Sequence, residues 1–149
     1  MMSETKNEAE LTGLKILIVE DDTAIAEMVE DFLVDLRCVV VGVAPGLEKA
    51  LESAQTLTMD VALLDINLAA QASFPVAMEL LTRKIPFLFM TGYDQWGLPN
   101  GLQDSLVLAK PFEMTKLERA IRQVVSDAPG FNGKWNACRR YWPPPSTSV

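Results

Sequence analysis

One pattern constrains this chain more than any other. Short apolar runs recur five times along the chain; four of them end at once in a polar or charged residue, and four lead on to a stretch of helical periodicity. Lys15-Ile-Leu-Ile-Val19 leads into Glu20-Asp21-Asp22, and Cys38-Val-Val-Val41-Gly-Val43 leads towards Pro45. Met59-Asp60-Val-Ala-Leu-Leu64 ends at Asp65, Pro86-Phe-Leu-Phe-Met90 at Thr91, and Leu106-Val-Leu-Ala109 at Lys110-Pro111. Continuous apolar runs rich in β-branched residues read as strands buried on both faces, which is how parallel strands look. Alternated with helices, they specify a doubly wound α/β domain around a central parallel sheet.

The intervening stretches supply the helices. Ile25, Met28, Val29, Phe32, Leu33 and Leu36 recur at helical spacing after Asp22 or Thr23, either of which can cap. Pro45 stands at an expected first helical position before Leu47, Ala50, Leu51 and Ala54. Val76, Ala77, Leu80 and Leu81 predict a third helix. Leu117, Ala120, Ile121, Val124 and Val125 form the inward stripe of a last helix over about residues 113–125. Between Thr91 and Ser105 the pattern fails, because Gly92, Gly97, Pro99 and Gly101 interrupt it. A degraded fourth helix, a loop or one frayed turn, is expected there.

Composition removes whole classes of chemistry. The chain has 149 residues, room for one domain, and contains no histidine. Ser-His-Asp and Cys-His catalysis, imidazole bases and His-ligated zinc are therefore excluded. Cys38 and Cys138 stand far apart, so neither a disulfide framework nor a soft-metal site is expected. The net charge of −7 argues against broad nucleic-acid binding. No run approaches the roughly 18 apolar residues of a membrane helix, and the polar start resembles no targeting segment, so a cytoplasmic protein is expected.

In a doubly wound fold, ligands sit beyond the carboxyl ends of the strands. Glu20 and Asp21, Asp65, Thr91 and Lys110 follow four of the five runs, so three carboxylates, a hydroxyl and an ammonium should meet on one rim. Each has a bland alternative as a cap or a solvated end. Asp65 directly follows an apolar strand, however, where a carboxylate is costly unless it is paired or metal-bound. Three clustered carboxylates repel one another, and Mg²⁺ with oxygen ligands relieves this. Carboxylates serve as nucleophiles towards phosphorus, and phosphoryl transfer needs mainly positioning and charge neutralisation.

The set resembles the receiver domain of two-component response regulators. The resemblance rests on Ile16-Leu-Ile-Val-Glu-Asp-Asp22, Asp60-Val-Ala-Leu-Leu-Asp65-Ile-Asn67-Leu, Phe89-Met-Thr91-Gly92 and Leu108-Ala-Lys110-Pro111-Phe112, in order over residues 15–125. It implies a flavodoxin-like sheet of strand order 2-1-3-4-5. It implies that Asp65 accepts a phosphoryl group from a phosphohistidine of a sensor histidine kinase or phosphotransfer protein. Asp21 would bind Mg²⁺ directly, Glu20 through water, and the Asn67 backbone carbonyl would add a ligand. Thr91 and Lys110 would contact phosphoryl oxygens, and the Lys110–Pro111 bond would be cis.

Two positions depart from the common pattern. Val107 occupies the place of the family's aromatic switch, and glycines break the fourth helix. Both features, with Phe89-Met90-Thr91-Gly92-Tyr93, are similar to the FATGUY group of single-domain receivers. Tyr93 and Trp96, in the Gly-rich segment, are then the expected reporters of phosphorylation.

The expected organisation is a flexible leader over residues 1–13, a receiver domain over 14–126 and a flexible basic and aromatic tail over 127–149. The tail, with Lys134, Arg139 and Arg140 against Asp127, carries +2, which leaves −9 on residues 1–125. Phe131, Trp135, Tyr141 and Trp142 could stack on a partner, but so few basic residues favour loose packing on the acidic domain. With so little chain after the last helix, the expectation is a stand-alone phosphoacceptor rather than an enzyme. Output would pass through an unidentified partner protein, or the domain would act as a phosphate sink or relay, with no nucleic-acid or membrane partner. Two rivals remain. An aspartate-nucleophile, Mg²⁺-dependent phosphohydrolase would want an acid where Asn67 stands, and a phosphorylation-independent binding scaffold would not need the full acidic and lysine set.

Overall fold

The computed structural model describes residues 11–69, 71–92, 98, 101–102 and 105–126. Strands β1 (Lys15–Val19), β2 (Val39–Ala44), β3 (Val61–Asp65), β6 (Phe87–Thr91) and β7 (Leu106–Ala109) form one parallel sheet in the order β2-β1-β3-β6-β7. This is the expected order, because these five are the apolar runs taken in sequence. Helices α1 (Thr23–Asp35), α2 (Leu47–Thr56), α3 (Phe74–Thr82) and α4 (Met114–Ser126) cover the sheet. A two-stranded antiparallel ribbon, β4 (Asn67–Leu68) with β5 (Gln71–Ala72), lies where the sequence predicts only a loop. Two-residue strands carry too little periodicity to read.

Alternation along each strand divides the core into two layers. Ile16, Ile18, Val61, Leu63, Leu88 and Met90 pack with Val29 and Leu33 of α1 and Leu117, Ile121 and Val124 of α4. Leu17, Val19, Ala62, Leu64, Phe87 and Phe89 pack on the other side with Ala50 and Ala54 of α2 and Val76, Ala77 and Leu80 of α3. Every residue of β3 and β6 is buried, so the two central strands show apolar residues on both faces. Each fully buried Leu, Ile or Phe contributes about 1.5–3 kcal/mol of transfer free energy.

Local chemistry sets the helix starts. The Asp22 carboxylate caps α1 by accepting from the N–H groups of Ala24 and Ile25 at 3.0 and 3.2 Å, which satisfies two otherwise orphaned donors. Pro75 sits in the first turn of α3. Pro45 lies outside α2, whose cap is Gly46, so that helix begins at Leu47, two positions later than Pro45 suggests. In α1, Met28 turns outward and is 52% exposed, while Ala26, Val29 and Leu33 form the buried face. The predicted stripe is therefore rotated by about one residue, because Ala26 packs inward despite its size.

Two boundaries extend the packed unit. Leu11 is 2% exposed and joins the layer of α1 and α4, and its carbonyl accepts from the Cys38 thiol at 3.4 Å. Packing thus starts before residue 14. Between β6 and β7 none of the described residues is helical, and residues 93–97, 99–100 and 103–104 lie outside the description. Leu102 is nevertheless fully buried, and Leu98 packs beside it on the layer of α2 and α3. The Gly-rich segment therefore has an apolar anchor that its broken periodicity hides. The tail over 127–149 lies outside the described residues. No helix among the described residues is long and apolar enough to cross a membrane.

Phe89 is the largest fully buried side chain among the described residues, in the layer of α2 and α3. It meets Phe74 and Phe87 edge-on, at centroid separations of 6.0 and 5.6 Å. Phe89→Ala should cost about 3–5 kcal/mol in urea unfolding, the usual scale for emptying an aromatic core site. A loss below about 1 kcal/mol would show that the layer collapses into the gap.

Candidate functional site

Sheet register assembles the rim. Val19 pairs with Leu64, and Asp65 with Met90, so the residue after β1 stands level with the last residue of β3. Thr91 pairs with Ala109, and the Lys110 N–H donates to the Thr91 carbonyl at 2.7 Å. The Glu20 N–H likewise donates to the Ala44 carbonyl at 3.0 Å. Backbone pairing therefore continues past the strands and holds the polar residues in place. Glu20, Asp21, Asp65, Asn67, Thr91 and Lys110 all line one cavity of about 340 Å³.

An ion pair organises this cavity. The Lys110 Nζ lies 2.7 Å from Glu20 Oε1 and 3.2 Å from Asp65 Oδ2. Glu20 is 2% exposed and Asp65 5%. Burial pushes the Glu20 carboxyl up to about 7, against the hydrogen bonds from Lys110 and the Asp22 N–H. Burial works against the Lys110 ammonium too, but the hydrogen bond to Glu20 and the charge of Asp65 outweigh it and hold its pKa above the ordinary value. The Lys110–Pro111 peptide is cis, as the resemblance implies.

Backbone amides orient the carboxylates. The Asp22 N–H donates to Glu20 Oε2 at 3.1 Å, the Asn67 N–H to Asp65 Oδ1 at 3.3 Å, and the Ala69 N–H to Asp21 Oδ2 at 3.0 Å. The contact from Ala69 has no signal in the sequence, since any residue could supply an N–H. Asp22, one residue from the cluster, is occupied as the α1 cap.

One oxygen from each of Glu20, Asp21 and Asp65 lies within 4.8 Å of the others. Among the described residues, three carboxylates face the Lys110 ammonium here, so acidic groups outnumber the basic one on this rim. All-oxygen donors, one of them exposed, fit a hard divalent cation that keeps several waters, which describes Mg²⁺. Thr91 is 2% exposed at the head of the same cavity, beside Gly92. Val107 sits mid-strand in β7, pairs with Phe89 and packs on the layer of α2 and α3, clear of the rim. Tyr93 and Trp96 lie outside the described residues.

The comparisons with known proteins match this geometry. A family model described as the response regulator receiver domain matches residues 16–122. The transcriptional regulatory protein CiaR of Streptococcus pneumoniae (strain ATCC BAA-255 / R6) is 34% identical over 126 residues, which is 80% of this chain and 54% of CiaR. The chain spans about half the length of the curated relatives it matches. SdrG from Sphingomonas melonis Fr1, known from a solution structure, is 40% identical with a TM-score of 0.65, covering 73% of this chain and 93% of SdrG. The receiver domain of the sensor histidine kinase PA1611 from Pseudomonas aeruginosa PAO1 shares the fold at 23% identity and a TM-score of 0.65, covering 77% of this chain and 99% of that one. Its crystal structure has a magnesium ion coordinated in the active site cleft. Family match, sheet order and rim chemistry agree, and the chain belongs to the response regulator receiver domain family of two-component signalling.

Proposed function

We propose that this receiver is a phosphoacceptor, with Asp65 taking a phosphoryl group from a phosphohistidine on a sensor histidine kinase or phosphotransfer protein. The observation that carries the reading is the pairing of Asp65 with Lys110 at 3.2 Å beside Glu20 and Asp21. An oxygen of Asp65 attacks phosphorus. The bond from phosphorus to imidazole nitrogen breaks as the new oxygen–phosphorus bond forms, and the electron pair stays on the imidazole. Asp21, Asp65 and the Asn67 carbonyl would hold Mg²⁺, with Glu20 acting through water, and the cation would supply charge neutralisation for the phosphoryl oxygens.

The chain's own groups do the rest. Lys110 is already bound to Asp65, so a short movement of its ammonium follows the negative charge from carboxylate to phosphoryl oxygen. The Thr91 hydroxyl donates to a second phosphoryl oxygen. The low exposure of Glu20, Asp65 and Thr91 strengthens each of these interactions relative to water. Asn67 cannot protonate a leaving group, which favours a lasting acyl phosphate over a hydrolase cycle.

Output is assigned to protein–protein contacts, or to draining or relaying phosphoryl groups. Val107 cannot act as an aromatic switch. That absence, with Phe89-Met-Thr-Gly at the end of β6, supports the FATGUY single-domain subgroup and a reporting role for Tyr93 and Trp96.

Incubation with Mg²⁺ and acetyl phosphate should add the mass of one phosphoryl group to the intact protein, and Asp65→Asn should abolish the gain while keeping the parent's circular dichroism. Undiminished modification of that variant would move the acceptor elsewhere, and no modification of the parent would favour a scaffold. A second expectation concerns the metal. Mg²⁺ should raise the parent's melting temperature by linkage, and Asp21→Ala should lose most of that rise. An equal rise in both proteins would take Asp21 out of the metal site.

A further inference from the structure

The ribbon of β4 and β5 is too short to persist by its own pairing. It is anchored instead by Ile66 and Leu68, both buried in the layer of α2 and α3, and by the Ser73 N–H, which donates to the Ile66 carbonyl at 2.8 Å. What this anchored ribbon presents outward is a pair of backbone donors. The Asn67 N–H reaches Asp65, and the Ala69 N–H reaches Asp21 across 48 positions of sequence.

Ala69 is the unusual member. Its φ of +50° lies in the left-handed region, which a side chain with a Cβ adopts reluctantly. The residue is exposed, so core packing does not impose this conformation. Asp21 is exposed as well, and without a partner its carboxylate could sample several rotamers. The amide occupies Oδ2 and leaves Oδ1 available in a fixed orientation. Groups that orient a metal ligand in this way commonly govern affinity nearly as strongly as the ligands themselves.

We propose that Ala69, through its backbone amide, is a positioning residue for the divalent-cation site, and that the ribbon tip is the clamp that presets Asp21 for Mg²⁺. The inference rests on the reading of Glu20, Asp21 and Asp65 as a Mg²⁺ site. Tight hairpin turns favour positive φ for their own sake, so the rival account is a purely structural turn residue. That account predicts changes in folding stability with no separate change in cation affinity.

Two substitutions on the full chain distinguish these accounts, with Mg²⁺ titrated calorimetrically into metal-free protein. Ala69→Val penalises the left-handed conformation and swings the N–H away from Asp21, and it should weaken Mg²⁺ binding about tenfold, the order expected for loss of one strained, charge-assisted contact. Because the site is exposed and the strain is confined to one turn residue, the metal-free melting temperature should fall by no more than about 5 °C. Ala69→Gly keeps the N–H and removes the strain, and should stay within about twofold of the parent. If Ala69→Val binds Mg²⁺ like the parent, or loses affinity only in step with a large fall in metal-free stability, the positioning role is overturned while the Mg²⁺ site stands. A parent that takes up no Mg²⁺ removes the site itself and the clamp with it.

Discussion

A lysine ammonium placed between two nearly buried carboxylates is the interaction on which the site depends. Each of the three charges would be costly where it stands if the other two were absent, because water is largely excluded from Glu20 and Asp65. Held at 2.7 and 3.2 Å, Lys110 offsets that cost and ties the end of β7 to the ends of β1 and β3, across the intervening β6. The arrangement is stable yet incomplete in charge, since a third carboxylate, Asp21, stands beside it. A surplus of negative charge at the mouth of a small cavity is what a divalent cation and then a phosphoryl group can use.

The sheet makes that arrangement possible. Parallel strands all deliver their carboxyl ends to one edge, so residues far apart in sequence arrive together without any loop having to carry them. The two core layers hold the strands in register from both sides, and a slip of one residue in β3 would turn Leu63 and Leu64 to the wrong layers along with Asp65. Core packing and site geometry are thus one constraint. The chemistry is located by aliphatic side chains that never touch it.

Loops supply the finer orientation. Backbone amides of Asp22, Asn67 and Ala69 each donate to one carboxylate of the cluster, so all three acids are aimed by the main chain. Val107 is partly buried and packs against the layer of α2 and α3, away from the cluster. The buried Leu102 also fixes part of the segment after β6, so movement there would have to take place around an anchored point. Curated relatives run to about twice the length matched here.

The amino-acid sequence determined the order of the five sheet strands and four helices, and it named five polar side chains that the structure brings to one cavity. Buried strands show as unbroken apolar runs, and a charged residue at the end of such a run stands out against them. Leu106–Ala109 was readable to the residue, and so was the inward stripe of α4 from Leu117 to Val125. The rotation of α1 that exposes Met28 was not, because a small residue such as Ala26 gives no hydrophobic signal until a neighbour closes over it. The β4–β5 ribbon, the burial of Leu11 and Leu102, and the Ala69 amide at Asp21 were likewise decided only by tertiary structure. These features depend on contacts between segments distant in sequence and on backbone groups that every residue carries, and neither leaves a periodicity or a residue type to read.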